Sequence, residues 1–153
     1  MRAVPDDMDT EANFEIDESS LGIVDYEGKP PSVFRDPAAL RALEKLAAAL
    51  RDEGYNIDVP GPGKACQAAC SCLLAPDRSI EIMLFVEHRT EGSLQCWLST
   101  FYSQPFIYRL LRRDLLKSPQ FLEAWRNLCG AIDKGLRQSL AARSVKWGTD
   151  TLS

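Results

Sequence analysis

Apolar residues return at helical spacing early in the chain: Leu40, Leu43, Leu46, Ala47 and Leu50 fall on one stripe. Asp36 stands just before that stripe as a good N-cap, and Pro37 suits the first helical position. Gly54, after Glu53, suits the left-handed residue that ends many helices. The spacing predicts a helix over 37–53 with one face to bury.

Past Gly54 apolar and polar positions alternate. Tyr55, Ile57 and Val59 alternate with Asn56 and Asp58, a short strand ended by Pro-Gly-Pro-Gly at 60–63. That loop lacks the Gly-Lys-Ser/Thr helix opening of a phosphate loop, because Lys64 leads into a strand. Strands are predicted over 65–74, 79–88 and 93–102, with turns at Ala75–Arg78 and Thr90–Gly92. Turns this short make the strands antiparallel neighbours. Ile80, Ile82, Leu84 and Val86 share one face with Leu94, Cys96, Leu98 and Thr100. Met83, Phe85, Trp97 and Phe101 have the opposite parity, so both faces are partly apolar. Either helices cover both sides, or one face meets a partner.

Pro105 opens a short helical stretch with Phe106, Ile107, Leu110 and Leu111. Ser118-Pro119 repeats the cap-then-proline signal. Phe121, Trp125, Leu128, Ile132, Leu136 and Leu140 then follow a helical stripe, which Gly130 and Gly135 weaken without abolishing. Val145 and Trp147 suggest a closing strand. The predicted class is α+β: an antiparallel β-meander of about four to five strands, packed by an N-terminal and a C-terminal helix and preceded by an acidic arm.

Charge changes the picture at the N-terminus. Residues 1–31 hold nine acids and two bases, a net −7, whereas the rest of the chain is +3. Gly-Lys-Pro-Pro at 28–31 closes this segment as an extended linker. The expected organisation is a flexible arm over 1–31 and a single α+β domain over 32–153. A solvated tail explains the acids, but not Phe14, Ile16, Leu21, Ile23, Val24 and Tyr26, which favour docking. The expected partner-binding residues are Asp6, Asp7, Asp9, Glu11, Phe14, Glu15, Ile16, Asp17 and Glu18 of the arm, with Met83, Phe85, Trp97 and Phe101 of the sheet. Removal of 1–31 is expected to leave the fold intact.

Three of five cysteines crowd into Ala65–Leu74. Cys66, Cys70 and Cys72 share one parity, so along a strand they stand about 6.6 Å apart, or a multiple of it. Zinc needs a tetrahedron of sulfurs at about 2.3 Å, which turns supply and a regular strand does not. The spacing also lacks a Cys-x-x-Cys redox pair. These thiols read as small apolar residues facing a packed helix, with Cys96 sharing their layer. His88, the lone histidine, has Cys96 or Ser99 as conceivable nucleophiles on the next strand; a polar strand end explains it as well. Gly-x-Ser-x-Gly, His-Glu-x-x-His and Gly-x-Gly-x-x-Gly are all missing from the sequence. A non-enzyme with no cofactor and no metal is expected. The basic run Arg109, Arg112, Arg113 and Lys117 reads as the wet face of a helix, or as a seat for the arm or an acidic partner. An isoelectric point near 5.1 disfavours nucleic acid. With no long apolar run and no apolar leader, the chain is expected to be cytoplasmic and to bind no membrane.

Four segments carry a resemblance: LRALEKLAAALRDEGYNI, SIEIMLFVEH, LQCWLSTFY and AWRNLCGAIDKGL with the later VKW. In their order, helix, meander, helix and aromatic strand, residues 36–148 resemble the small bacterial immunity proteins encoded beside polymorphic or contact-delivered toxins. The resemblance implies a stoichiometric toxin inhibitor without chemistry of its own, and assigns no residue a role. The same layout resembles type III secretion chaperones, which implies a homodimer carrying an effector segment.

Overall fold

The computed structural model describes residues 9–63, 66–76, 78–102 and 118–148. The described elements run β1 (Glu11–Asp17), a 3-10 turn (Glu18–Leu21), α1 (Pro37–Asp52), β2 (Asn56–Ile57), β3 (Ala68–Ala75), β4 (Arg78–Thr90), β5 (Ser93–Phe101), α2 (Pro119–Ser139) and β6 (Arg143–Gly148). The helical stretch expected after Pro105 lies outside the described residues.

The helix boundaries follow from their caps. The Asp36 carboxylate accepts from the Ala38 amide at 3.0 Å, and Pro37 follows it. Gly54 ends α1 at φ 98°, where its N–H reaches the Arg51 carbonyl at 2.9 Å. In α2 the Ser118 hydroxyl accepts from the Phe121 amide at 3.3 Å. The β4–β5 hairpin turns through Glu91 and Gly92, both at positive φ as a two-residue turn requires.

Six described strands form one antiparallel sheet in the order β2-β3-β4-β5-β1-β6. The expectation of about four to five strands after a flexible arm is corrected here. Residues 11–17 of that arm form β1, which lies inside the sheet between β5 and β6. The cause is a period-two pattern beneath the acids: Ala12, Phe14 and Ile16 point to the core while Glu11, Asn13, Glu15 and Asp17 point away. Leu21 is fully buried as well. Two cations of α1 hold the chain that follows, Lys45 donating to the Ser20 carbonyl at 2.6 Å and Arg41 to the Leu21 carbonyl at 3.1 Å.

Both described helices lie on one face of the sheet, α1 over β3 and β4 and α2 beside it toward β3 and β6. They approach closely at Gly135, where an added Cβ would come within 2.7 Å of Leu46 Cδ1. That explains a glycine in the middle of a helix. Cys70, Cys72 and Cys96 join Ile80, Ile82, Leu84 and Leu98 in this core, as their parity predicts, whereas Cys66 is buried before the start of β3 and outside this cluster, because the strand begins only at Ala68. The buried Trp125 of α2 donates its indole N–H to Thr100 Oγ1 at 2.9 Å, and that hydroxyl donates to the Thr10 carbonyl at 3.0 Å. One side chain thus links α2, β5 and the entry to β1. No described helix is long and apolar enough to cross a membrane.

Candidate partner-binding face

The face turned away from the helices carries the second apolar set. Phe85 and Trp97 are register partners on β4 and β5, with ring centroids 5.3 Å apart and planes tilted by 39°. Met83 pairs with Ser99 and Glu81 with Phe101 in the neighbouring rows. All four apolar side chains are half-buried.

Beside the rings, β4 carries a bulge: the register against β5 shifts between Val86 and His88. A bulge inserts a residue and re-aims the side chain there, which here is Glu87. A second irregularity adjoins it. Strand β3 begins only at Ala68, so Val86 lacks a backbone partner on that side. The buried Gln67 side chain fills the gap. Its Oε1 accepts from the Val86 amide at 2.6 Å, and its Nε2 donates to the Val86 carbonyl at 3.4 Å and the Ser32 carbonyl at 2.8 Å. Gln67 thereby brackets the 32–35 turn to the sheet. Val33 and Phe34 on that turn are 69% and 68% exposed. Together these residues enclose a cleft of about 520 Å³ lined by Glu11, Asn13, Val33, Gln67, Phe85, Val86, Glu87 and Trp97. A second cleft of about 320 Å³ shares Val33, Gln67, Val86 and Glu87 and runs on toward His88 and Arg89.

The turn is also fixed from the other side. Arg89 reaches both Asp36 oxygens at 2.5 Å and stands 5.3 Å from the centre of the Tyr26 ring. Tyr26 donates its hydroxyl to Glu18. Burial works against the Arg89 charge, but the hydrogen bonds to Asp36 and Tyr26 outweigh it and hold its pKa above the ordinary value.

The arm residues do not assemble as a free acidic surface. Asp6 and Asp7 lie outside the described residues, and Asp9 is exposed just before β1. Phe14 and Ile16 sit in the core. Glu11 is buried and accepts from Ser99 at 3.5 Å. Glu15 bonds Ser93 and, at 3.1 Å, Arg143; Ser93 first and Arg143 second hold its carboxyl below the usual range. Asp17 pairs with Arg143 at 2.9 Å, and Glu18 with Arg89 at 3.5 Å. Arg109, Arg112, Arg113 and Lys117 lie outside the described residues.

The remaining candidates are kept apart. His88 is exposed at the end of β4 opposite Gln95. Cys96 faces the core, and Ser99 lies three residues further along β5. All five cysteines are free and buried. Burial pushes the thiols of Cys70 and Cys96 up to about 12 and those of Cys72 and Cys129 to about 11. Thiols held protonated in this way are poor nucleophiles. Among the described residues no group of three His, Cys, Asp or Glu side chains is placed to hold a metal ion.

Sequence reasoning found the four apolar residues of this face through strand parity. It missed Glu87, Gln67 and Val33, because a bulge and a side-chain bracket leave no periodic trace. No family model, curated protein or solved structure matches this chain.

Proposed function

We propose that this protein is an immunity protein, which neutralises a cognate bacterial toxin by stoichiometric binding and occlusion of its active site. The observation that carries the proposal is the sheet face of Met83, Phe85, Trp97 and Phe101, set opposite both described helices and edged by Glu11, Glu81 and Glu87. Aromatic residues at the centre of a patch with a charged edge are the usual anchors of a protein interface. A toxin acting on nucleic acid or nucleotides has a basic cleft, and an acidic edge would steer association with it. No catalytic step is required of this chain, and its buried thiols fit that role.

The test is co-expression with the toxin encoded beside the gene. Protected growth and a 1:1 complex by light scattering are expected. Trp97→Ala should weaken the complex by about 2 kcal/mol or more, roughly thirtyfold. Protection unchanged by Trp97→Ala together with Phe85→Ala would refute this face. The two adjoining clefts also suit an extended segment, which favours a secretion chaperone as the second reading. A homodimer carrying a secreted effector would decide for it.

A further inference from the structure

We propose that the Val33–Phe34 turn is a preformed anchor of the interface, with the Phe34 ring entering an apolar pocket of the protein partner. This rests on the protein-binding reading above and names the element that engages the partner and the chemistry that receives it.

The first observation is a mismatch between the turn and its residues. Ser32 and Arg35 exchange backbone hydrogen bonds, the Ser32 N–H donating to the Arg35 carbonyl at 2.8 Å and the Arg35 N–H to the Ser32 carbonyl at 3.3 Å. Val33 and Phe34 are thus the two tip residues of a tight turn, where Gly, Asn, Asp and Ser are usual. Neither stands at positive φ, so the backbone would admit Asn, Asp or Ser at both places. The exposed large apolar side chains among the described residues are Ile23, Val33, Phe34, Val59 and Leu73, and only Val33 and Phe34 are neighbours in sequence. Single apolar residues are ordinary on a surface. An adjacent pair on a turn tip serves neither the turn nor the core.

The second observation is how firmly this tip is held. On one side the buried Gln67 donates to the Ser32 carbonyl at 2.8 Å and is itself fixed by two bonds to Val86. On the other side the buried Asp36 receives Arg89 in two bonds and caps α1. Within the turn, Ser32 Oγ accepts from the Phe34 amide at 3.3 Å. A side chain presented on a fixed backbone loses little further freedom on binding. The third observation is position and charge. Val33 lines both clefts, one with Phe85 and both with Val86, so the tip continues the sheet face. Arg35, next in the chain, pairs with Glu27 at 3.3 Å and donates to the Tyr26 carbonyl at 3.4 Å. The tip itself offers an aromatic ring and a branched aliphatic chain without charge. An apolar pocket receives these, and a polar groove would be desolvated without compensation.

The experiment pans a phage-displayed library of random dodecapeptides on the full-length protein. Selected peptides are then measured against the double variant Val33→Ser/Phe34→Asn and against Val59→Ser, an exposed apolar residue outside the turn. The peptides should be apolar, lose at least tenfold in affinity for the turn variant and keep it for Val59→Ser. The turn variant should hold its thermal midpoint within about 2 °C of the parent. Amide nitrogen relaxation of the free protein should give Val33 and Phe34 order parameters near about 0.85, and Gln67→Ala should lower them. Parent values below about 0.6, selection of no peptide, or peptides that bind the turn variant as tightly as the parent would overturn the anchor. With the toxin, Phe34→Ala should weaken the complex about tenfold to thirtyfold. The peptides and the relaxation read the turn without any toxin. Failure of the toxin assay with those two results intact would therefore refute the immunity reading alone. Protection and toxin affinity unchanged by the turn variant would refute the anchor alone.

Discussion

Replacing Phe14 with alanine tests whether the acidic N-terminal segment is part of the fold. Phe14 lies on β1, opposite Cys96 of β5, and is 3% exposed. Removing a buried phenyl ring costs about 3–5 kcal/mol from lost burial and the cavity left behind. For a domain of this size each kcal/mol lowers the midpoint by about 2–4 °C, so the expected fall is about 6–20 °C. That is a large part of a usual stability of about 5–15 kcal/mol. Asn13, one residue earlier, points to the other face and is exposed. Asn13→Ala should stay within about 0.5 kcal/mol of the parent. Thermal and urea unfolding of the full chain, followed by circular dichroism, measures both. A Phe14→Ala midpoint within about 2 °C of the parent, or an equal loss from Asn13→Ala, would refute the placement of β1. On the same reasoning, removal of residues 1–31 should abolish cooperative unfolding, because it takes out an interior strand and the buried Leu21.

Asp36→Ala removes a helix cap and the partner of Arg89; a loss of about 2–4 kcal/mol is expected in urea unfolding, and a value below about 1 kcal/mol would contradict the clamp. Thr100→Val leaves the Trp125 indole N–H unpaired in the core and should cost about 1–3 kcal/mol, with a Trp125 fluorescence shift as a second readout. The thiols predict an alkaline limit: their folded pKa values of about 11 and 12 lie above the ordinary 9.0, so their contribution is complete below about 9 and is lost as pH rises toward 11–12. Tyr26 and Tyr55, also raised by burial, act in the same direction. A urea midpoint that stays flat as pH climbs above 9 would contradict this. For the same reason, thiol reagents at neutral pH should label native protein slowly and denatured protein at once.

The strands of the meander and both described helices were legible because period and caps agreed locally. Asp36-Pro37 and Ser118-Pro119 start helices where their chemistry says, and the cysteine parity places Cys70, Cys72 and Cys96 in the core. The acids of β1 mask its period-two pattern. Glu11, Asn13, Glu15 and Asp17 alternate strictly with Ala12, Phe14 and Ile16, and acids on one face do not forbid a strand whose other face is buried. Its slot between β5 and β6 is a long-range choice, which no local pattern encodes. At the site the split is similar. Met83, Phe85, Trp97 and Phe101 follow from parity, whereas Glu87 depends on a bulge and Val33 on the side chain of Gln67, 34 residues away in sequence.

The pairing of the N-terminal acids also moves the electrostatic argument. The sequence puts a net −7 on residues 1–31, which suggests a steering arm. In the fold, Glu15 and Asp17 answer Arg143, and Glu18 answers Arg89 and Tyr26. Much of the segment's charge is therefore used to tie β1 to β6 and the 18–36 stretch to β4. Among the described residues, Glu87 stands at the β4 bulge, beside the Phe85 and Trp97 rings. A diffuse acidic arm would give only a salt-sensitive association rate. The charges that the fold does use are structural: the Arg89–Asp36 pair, together with Gln67, fixes the turn that forms the edge of this face.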